Sequence, residues 1–445
     1  MGDITMRARR PRARRVAIGA AIAGLVTTGL LAGTAAAGSG TAPGLASKSV
    51  KLGYVFSGTG QAGSVYQDAG KACQARVGRQ NAQGGVNGRK IDLQVIDDAT
   101  SAANLTAVHD LVENRNVFAV INNSPVAFLS YRYLLEKGVP MIGSGTDGTY
   151  YGQKGNENII NMSGNQAAAT DITWTEVPQV MKMLGATKTA AVTYGSPPSG
   201  IAAATVLQKY GAPAVGLEPV YTNTAVDFGT EDVAPIVLGI KNSGADAAWL
   251  PMVAATNFAI VQSLQQNGVK LKAIVLATGY GQTLLDSPLA STLGPETVFF
   301  QQWQPVELKT AATKQFQADL KKYAGVTGVP NFGTYSGYII CDLAIKGLEA
   351  SGKNPTRQGM IDAIHKMGAY DQAGLACQPV DVGLANYGKA PEQQCIYFLN
   401  VKDGKFVVMN KGKPIIGKLV GSKEGLAAAR SGAVATTTTA APPSP

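Results

Sequence analysis

The chain has 445 residues, with 39 Lys and Arg against 29 Asp and Glu, a formal net charge of +10 and only 15% charged residues. Hydrophobic residues make up 45%, which excludes wholesale disorder, and the 53 glycines exceed the roughly 7% of an average protein. A charge of +10 would suit nucleic acid or an anionic surface. Half of it lies before residue 38, where Arg7, Arg9, Arg10, Arg12, Arg14 and Arg15 are offset by Asp3 alone.

That basic start runs into the apolar stretch from Val16 to Ala32 and then Ala35-Ala36-Ala37. The three parts read as the n-, h- and c-regions of a secretory signal peptide over 1–37. A permanent anchor would need about 20 continuous apolar residues. Met6 is an alternative start. No cysteine stands near the cleavage point, so lipoprotein attachment is not expected, and neither Arg9-Arg10 nor Arg14-Arg15 sits in a twin-arginine context. The mature protein is expected to be exported, to the periplasm or cell envelope, with a flexible linker over 38–48.

From Ser49 to Val420 short β-branched runs alternate with amphipathic helical stretches, the pattern of doubly wound parallel sheets. Strands are predicted at 50–56, 91–96, 117–121 and 140–142, with helices at 64–81, 102–114 and 126–137 between them. A second set follows 159–162, with strands at 189–194, 214–220, 247–250 and 272–276 and helices near 167–184, 199–210, 233–242 and 255–267. A strand at 298–301 precedes helices near 309–323, 335–351 and 357–366. Two strands, 395–400 and 405–409, close around the turn Asp403-Gly404. The fold class is α/β with two doubly wound lobes, and residues 421–445, rich in Thr, Ala and Pro, are expected to be disordered.

Four cysteines in an exported chain invite pairing. Cys377 and Cys395 flank a loop where a disulfide would constrain the unfolded chain by about 3 kcal/mol. Cys73 and Cys341 each fall on the apolar side of a predicted helix, as buried thiols or as a second disulfide. Zinc is not expected, because there is no Cys-x-x-Cys and only two histidines.

Asn122-Asn123-Ser124-Pro125 follows a predicted strand. Ser at N-cap and Pro at N1 mark a helix start whose free N–H groups would face the strand edge where ligands of open sheets bind. Ser144-Gly145-Thr146 follows the next strand, with hydroxyls beside a glycine that admits close backbone approach.

Several segments resemble the type I periplasmic binding proteins, in particular the branched-chain amino acid-binding branch that serves ABC importers. They are VKLGYVFSGTGQAG, NAQGGVNGRKIDLQVIDDAT, FAVINNSPVAFLSYRYLLEKGVPMIGSGTD, TAAVTYGSPPSG, VDFGTEDVAPIVLGIKNSGADAAWLP and GTYSGYIICDLAIKGLEASGKNPTRQGMIDAIHKMG. No one of them is diagnostic; their number and order over 49–410 carry the likeness. It implies a Venus-flytrap of two lobes joined by a three-strand hinge, closing around a solute. The crossings would fall near 161–163, 301–303 and 374–383. The N-terminal lobe would then hold 49–162 plus 302–378 and the C-terminal lobe 163–301 plus 379–420.

The same resemblance implies ligand contacts at Asn123, Ser124, Ser144, Gly145 and Thr146 from one lobe and at Tyr194, Gly195 and Val253 from the other. Tyr66, Phe332, Tyr280 and Trp303 are aromatic candidates for cleft walls. Amino-acid binders place an acid after the strand corresponding to 247–250. Here that stretch is Pro251-Met252-Val253-Ala254-Ala255-Thr256. An unpaired ammonium in a closed cleft is costly. The ligand is therefore expected not to be a standard amino acid, or Asp147 substitutes; a small carboxylate, amide or aromatic acid fits.

The expected partners are a small solute and ABC permease subunits, with no cofactor, no nucleic acid and a monomeric chain. A sensor of the same fold is the rival binding role. A hydrolase is disfavoured, since no Gly-x-Ser-x-Gly, Walker loop or GxGxxG occurs, and His109 and His365 fall inside predicted helices.

Overall fold

The computed structural model describes residues 42–145, 150–165, 171–196 and 198–432. The proposed signal peptide, Thr146 and Asp147 lie outside the described residues.

The first sheet is wholly parallel, built from β1 (Ser49–Phe56), β2 (Lys90–Asp97), β3 (Ala119–Asn123), β4 (Met141–Gly143) and β5 (Ile159–Asn161) in the order β2-β1-β3-β4-β5. Residues of β3, β4 and β5 are all buried, as continuous apolar runs in a parallel sheet covered on both faces should be.

The second sheet takes β6 (Ile172–Trp174), β7 (Lys188–Tyr194), β8 (Glu218–Val226), β9 (Ala247–Leu250), β10 (Ala273–Leu276) and β11 (Thr297–Gln301). After the short antiparallel pair β12 (Ala369–Tyr370) and β13 (Val380–Asp381), the chain returns to it with β14 (Gln393–Lys402), β15 (Lys405–Val408) and β16 (Ile415–Gly421). The order is β6-β16-β14-β11-β10-β9-β7-β8, with β15 on β14. Strands β8, β7, β9, β10 and β11 run parallel, and β14, β16 and β6 extend them antiparallel. The expected two-lobed α/β architecture is thus present, with an antiparallel extension on the second sheet.

Helices 311–324, 332–350 and 357–367 return to the first lobe, where helix 332–350 packs on helix 69–82 and on β3 and β4. Gly337 makes the helix contact possible, since a Cβ there would stand 2.2 Å from the Ala69 carbonyl oxygen. Cys73–Cys341 joins these two helices, and Arg76 donates to Asp342 at 2.7 Å beside it, both side chains buried. The open question over Cys73 and Cys341 resolves as a disulfide, and Cys377 pairs with Cys395 as expected. The helix starts are capped: Asn331 Oδ1 accepts from Thr334 N at 2.8 Å, and Thr356 Oγ1 accepts from Gly359 N at 2.9 Å.

The structure moves several expected boundaries. The predicted strand 214–220 is displaced: Ala212–Ala214 ends a helical stretch, and the strand begins at Glu218. Strand β16 had no counterpart among the predicted elements. The tail is not disordered from 421, because Ser422 caps a helix Lys423–Ser431 by accepting from Gly425 N at 2.8 Å. The described part of the 38–48 linker is held rather than loose, with Lys51 N donating to Gly44 O and Arg89 Nε to Ala46 O. The Asp403-Gly404 turn is as read, both residues having positive φ (51° and 69°).

The segments expected to cross between the lobes, with their flanks, are hydrogen-bonded to one another. Gln372 Nε2 donates to Met162 O at 3.0 Å, Asn165 N to Asp381 O at 3.0 Å, and Gln304 N to Leu375 O at 2.8 Å.

Candidate functional site

In open parallel sheets ligands bind beyond the carboxyl ends of the strands. Here those ends are 57–62 after β1, 122–125 after β3, 144–145 after β4, 194–196 after β7, 251–253 after β9 and 277–281 after β10.

On the first lobe the strand ends form a closed polar network. Ser57 Oγ donates to Asp98 Oδ1 at 2.7 Å and lies 2.9 Å from Ser124 Oγ. Asn104 Nδ2 donates to Asp98 Oδ2 at 2.8 Å, and Asn122 Nδ2 donates to Ser130 Oγ at 3.1 Å. Asn123 Nδ2 donates to Tyr54 Oη and to Ser336 Oγ, while its Oδ1 is buried with no partner.

Asn123 and Ser124 are 0% exposed. The helix-start reading of Ser124-Pro125 is corrected: a 3-10 turn, Ala127–Leu129, and a six-residue helix, Tyr131–Glu136, follow. Ser124 Oγ accepts from Val126 N at 3.1 Å. The same hydroxyl lies against Ser57, and because only a three-residue turn follows, no long helix N-terminus is presented there.

Ser144 is buried, and Gly145 has φ 78° with the Asn161 side chain where a Cβ would stand, 2.4 Å from its Oδ1. The glycine is therefore required by backbone and neighbour alike.

From the second lobe, Tyr194 ends β7. Its hydroxyl donates to Thr256 Oγ1 at 2.7 Å, its ring meets Phe228 edge-on at 4.7 Å, and burial raises its pKa. Gly195 is exposed and donates its N–H to Val226 O. Val253, in extended backbone, precedes helix 254–266 as its cap residue.

Between the lobes lies a cavity of about 180 Å³. Ser64, Val65, Asn331 and Phe332 line it from the first lobe; Ala254, Ala255, Phe258, Thr278, Gly279, Tyr280, Gly281, Thr283 and Leu284 line it from the second. At about 30 Å³ per liquid water, this is room for about six waters. None of these lining residues is charged. Behind Tyr280 stands Glu307, whose Oε2 accepts from the Tyr280 hydroxyl at 2.8 Å and whose pKa burial raises.

The structure therefore places Phe332 and Tyr280 on the cavity. Tyr66 stands behind Phe332, edge-on at 5.6 Å, and the buried Trp303 stacks on Tyr335 and meets Phe332 at a tilt of 39°. Asn123, Ser124, Ser144, Gly145, Tyr194, Gly195 and Val253 are at the strand ends but do not line this cavity. Its unanticipated walls include Phe258, Thr278 and Asn331; the glycine-rich run Ala277-Thr278-Gly279-Tyr280-Gly281 after a strand is a signal for Thr278.

The lobes meet around this cavity. Gln67 Nε2 donates to Thr283 Oγ1 at 3.4 Å, Gln282 N to Val329 O at 2.8 Å, and Val329 N to Gln282 Oε1 at 3.0 Å. Among the described residues no cluster of His, Cys, Asp and Glu could hold a metal, and no helix is long and apolar enough to cross a membrane.

Comparison with known proteins places this geometry. No curated protein matches the sequence. Among solved structures, the fatty acid ABC transporter substrate-binding protein of Thermomonospora curvata is 20% identical, with TM-score 0.68 over 87% of this chain and 96% of its own. An R. palustris ABC transporter solute binding protein in complex with 4-hydroxybenzoate is 21% identical, with TM-score 0.66 over 83% and 97%. The branched-chain amino acid transporter substrate binding protein of Streptococcus pneumoniae in complex with isoleucine is 17% identical, with TM-score 0.66 over 83% and 100%. At these identities the likeness is one of fold. The profile of the periplasmic binding protein family matches residues 49–405, and the chain belongs to that family.

Proposed function

We propose that this chain is exported, captures a compact solute with an apolar or aromatic body and one hydrogen-bonding end, and delivers it to an ABC importer. The observation that carries the reading is the inter-lobe cavity of about 180 Å³, walled by Phe258, Tyr280 and Phe332 and lined by no charged side chain. An α-amino acid would bring two charges there, an ammonium and a carboxylate, with a counter-charge for neither. A solute with one polar end has at most one charge to satisfy through hydrogen bonds. A ring or short branched chain gains from the aromatic walls, while Ser64, Thr278, Thr283 and Asn331 offer hydrogen bonds to a carboxylate or hydroxyl end. The relatives crystallised with 4-hydroxybenzoate and with isoleucine span both chemistries on one fold.

Ligand closes the hinge only through its differential affinity for the closed state, so cavity walls drawn from both lobes are what the mechanism requires. The test is calorimetry with benzoate, 4-hydroxybenzoate, hexanoate, leucine and isoleucine. An aromatic or short aliphatic acid should bind, and at 100 times its Kd it should add about 2.7 kcal/mol of stability. Tight leucine binding lost in Asp147→Ala would overturn the ligand assignment. Loss of uptake on deleting the gene, restored by the chain with residues 1–37 intact, tests export and delivery.

A further inference from the structure

A second and larger cavity, about 570 Å³, lies at the hinge. All three crossings contribute to it: Ser163, Gly164 and Asn165 from the first, Gln302 from the second, and Gln372 with 377–381 from the third. Gln394 and Ile396 of β14 and the segment 389–392 form the opposite wall. The volume is in the range of small-molecule sites.

Its charged groups are hydrogen-bonded within the wall, one pair of them as an ion pair. Arg430 makes a two-point pair with Glu392 at 2.6 and 3.0 Å. Asp381 accepts from Gly383 N and from Asn386 Nδ2, each at 2.7 Å. Lys389 Nζ donates to Ala385 O at 3.2 Å and Asn386 Oδ1 at 3.3 Å. The lining holds two acids, Asp381 and Glu392, and two bases, Lys389 and Arg430, so it carries no net charge that would select an anion or a cation. The amides differ. Gln302 and Gln394 make no side-chain hydrogen bond among the described residues. Gln378 commits only its Nε2, to Gln393 O at 3.0 Å, and Gln372, 4% exposed, only its Nε2, to Met162 O.

Carboxamides present a donor and an acceptor side by side, which matches adjacent hydroxyls. Pro379, Val380, Ile396 and the Cys377–Cys395 disulfide supply an apolar face for the C–H side of a ring. We infer that this cavity is a second binding site, for a neutral polyhydroxylated solute, and that its occupancy is coupled to the cleft. The coupling follows from placement: the walls come from the three segments that move when the hinge turns, so a ligand touching all three binds one hinge angle better than another. Gln302 lies on this cavity and also on a small one, about 20 Å³, beside Tyr280 and Phe332.

The experiment is calorimetry of the mature chain with myo-inositol, glucose and trehalose, using citrate as a charged probe of similar size. At least one polyol should bind saturably and citrate should not. Gln394→Leu should weaken that binding about tenfold with an unchanged melting temperature, whereas Phe332→Ala should leave it intact. Gln378→Leu gives the same reading if Gln394→Leu does not fold. Saturating polyol should change benzoate affinity, and saturating benzoate should change polyol affinity by the same factor. No saturable binding by any of the three polyols, or binding lost in Phe332→Ala and kept in Gln394→Leu, overturns the site. Unchanged benzoate affinity overturns the coupling. Failure of benzoate itself to bind tells against the cleft ligand, and leaves the polyol and citrate arms to decide the hinge site.

Discussion

Both lobes bury carboxyl groups, and Asp98 in the first is held differently from Glu176 in the second. In the first lobe Asp98, 1% exposed, accepts from Ser57 Oγ, Thr100 N and Asn104 Nδ2. In the second, Glu176, 5% exposed, has an Oε2 with no partner, and Gly417 packs so closely that a Cβ there would stand 2.0 Å from that oxygen. Burial pushes Glu176 up to about 8, so it carries its proton at neutral pH. The contrast teaches where the polar groups of this fold have been arranged as a set. At the carboxyl ends of the first lobe's strands most of them satisfy one another and make a polar floor, Asn123 Oδ1 excepted. Beside β16 a lone carboxyl is tolerated by staying neutral.

The comparison breaks most visibly with pH. A group whose folded pKa is raised contributes its stability fully below its unfolded value, and that contribution is lost as pH rises through the folded value. For Glu176 the window runs from about 4.5 to about 8. At roughly 1.4 kcal/mol per unit, stability should fall by about 4 kcal/mol across it. Glu176→Gln should flatten the profile; urea midpoints from pH 4 to 9 that fall as steeply in the variant would refute the assignment. Next in size is Asp98→Ala, which strands two buried donors and a backbone N–H. It should cost about 3 kcal/mol in urea unfolding, and a loss below about 1 kcal/mol would mean the floor is not the cooperative network described.

The same contrast marks how far sequence reading reaches. Most strands of both sheets and the Asp403-Gly404 turn were legible because periodicity and turn chemistry are local, whereas the placing of the three late helices on the first lobe came from the family resemblance. Ser124-Pro125 misled for a physical reason. Its local pattern is a helix start, but Ser57, 67 residues away in sequence, takes the hydroxyl, and no local rule contains that contact. Strand β8 was misplaced because its polar alternation, Tyr221-Thr222-Asn223-Thr224, lies at the sheet edge and lacks a buried run. The Ala-rich helix 423–431 was hidden by a composition that also describes linkers. On the cavity, Phe332 and Tyr280 were foreseeable as aromatics, whereas Ala254, Thr278 and Asn331 are ordinary residue types placed there by the meeting of two lobes.

Two smaller substitutions sharpen the difference between floor and walls. Phe332→Ala removes a wall ring that packs on Tyr66 and Trp303. It should weaken ligand binding tenfold to a hundredfold, about 1.4 to 2.7 kcal/mol. An unchanged Kd would exclude the cavity as the ligand site. Tyr194→Phe removes only a hydroxyl that already donates to Thr256 and keeps the ring against Phe228. A single neutral hydrogen bond is worth about 1 kcal/mol net, and the melting temperature should register that loss. If the hydroxyl is committed to Thr256, the ligand Kd should move less than about threefold. A larger shift would mean that Tyr194 turns toward the ligand on binding, adding its hydroxyl to the polar contacts of Thr278 and Thr283 from the second lobe.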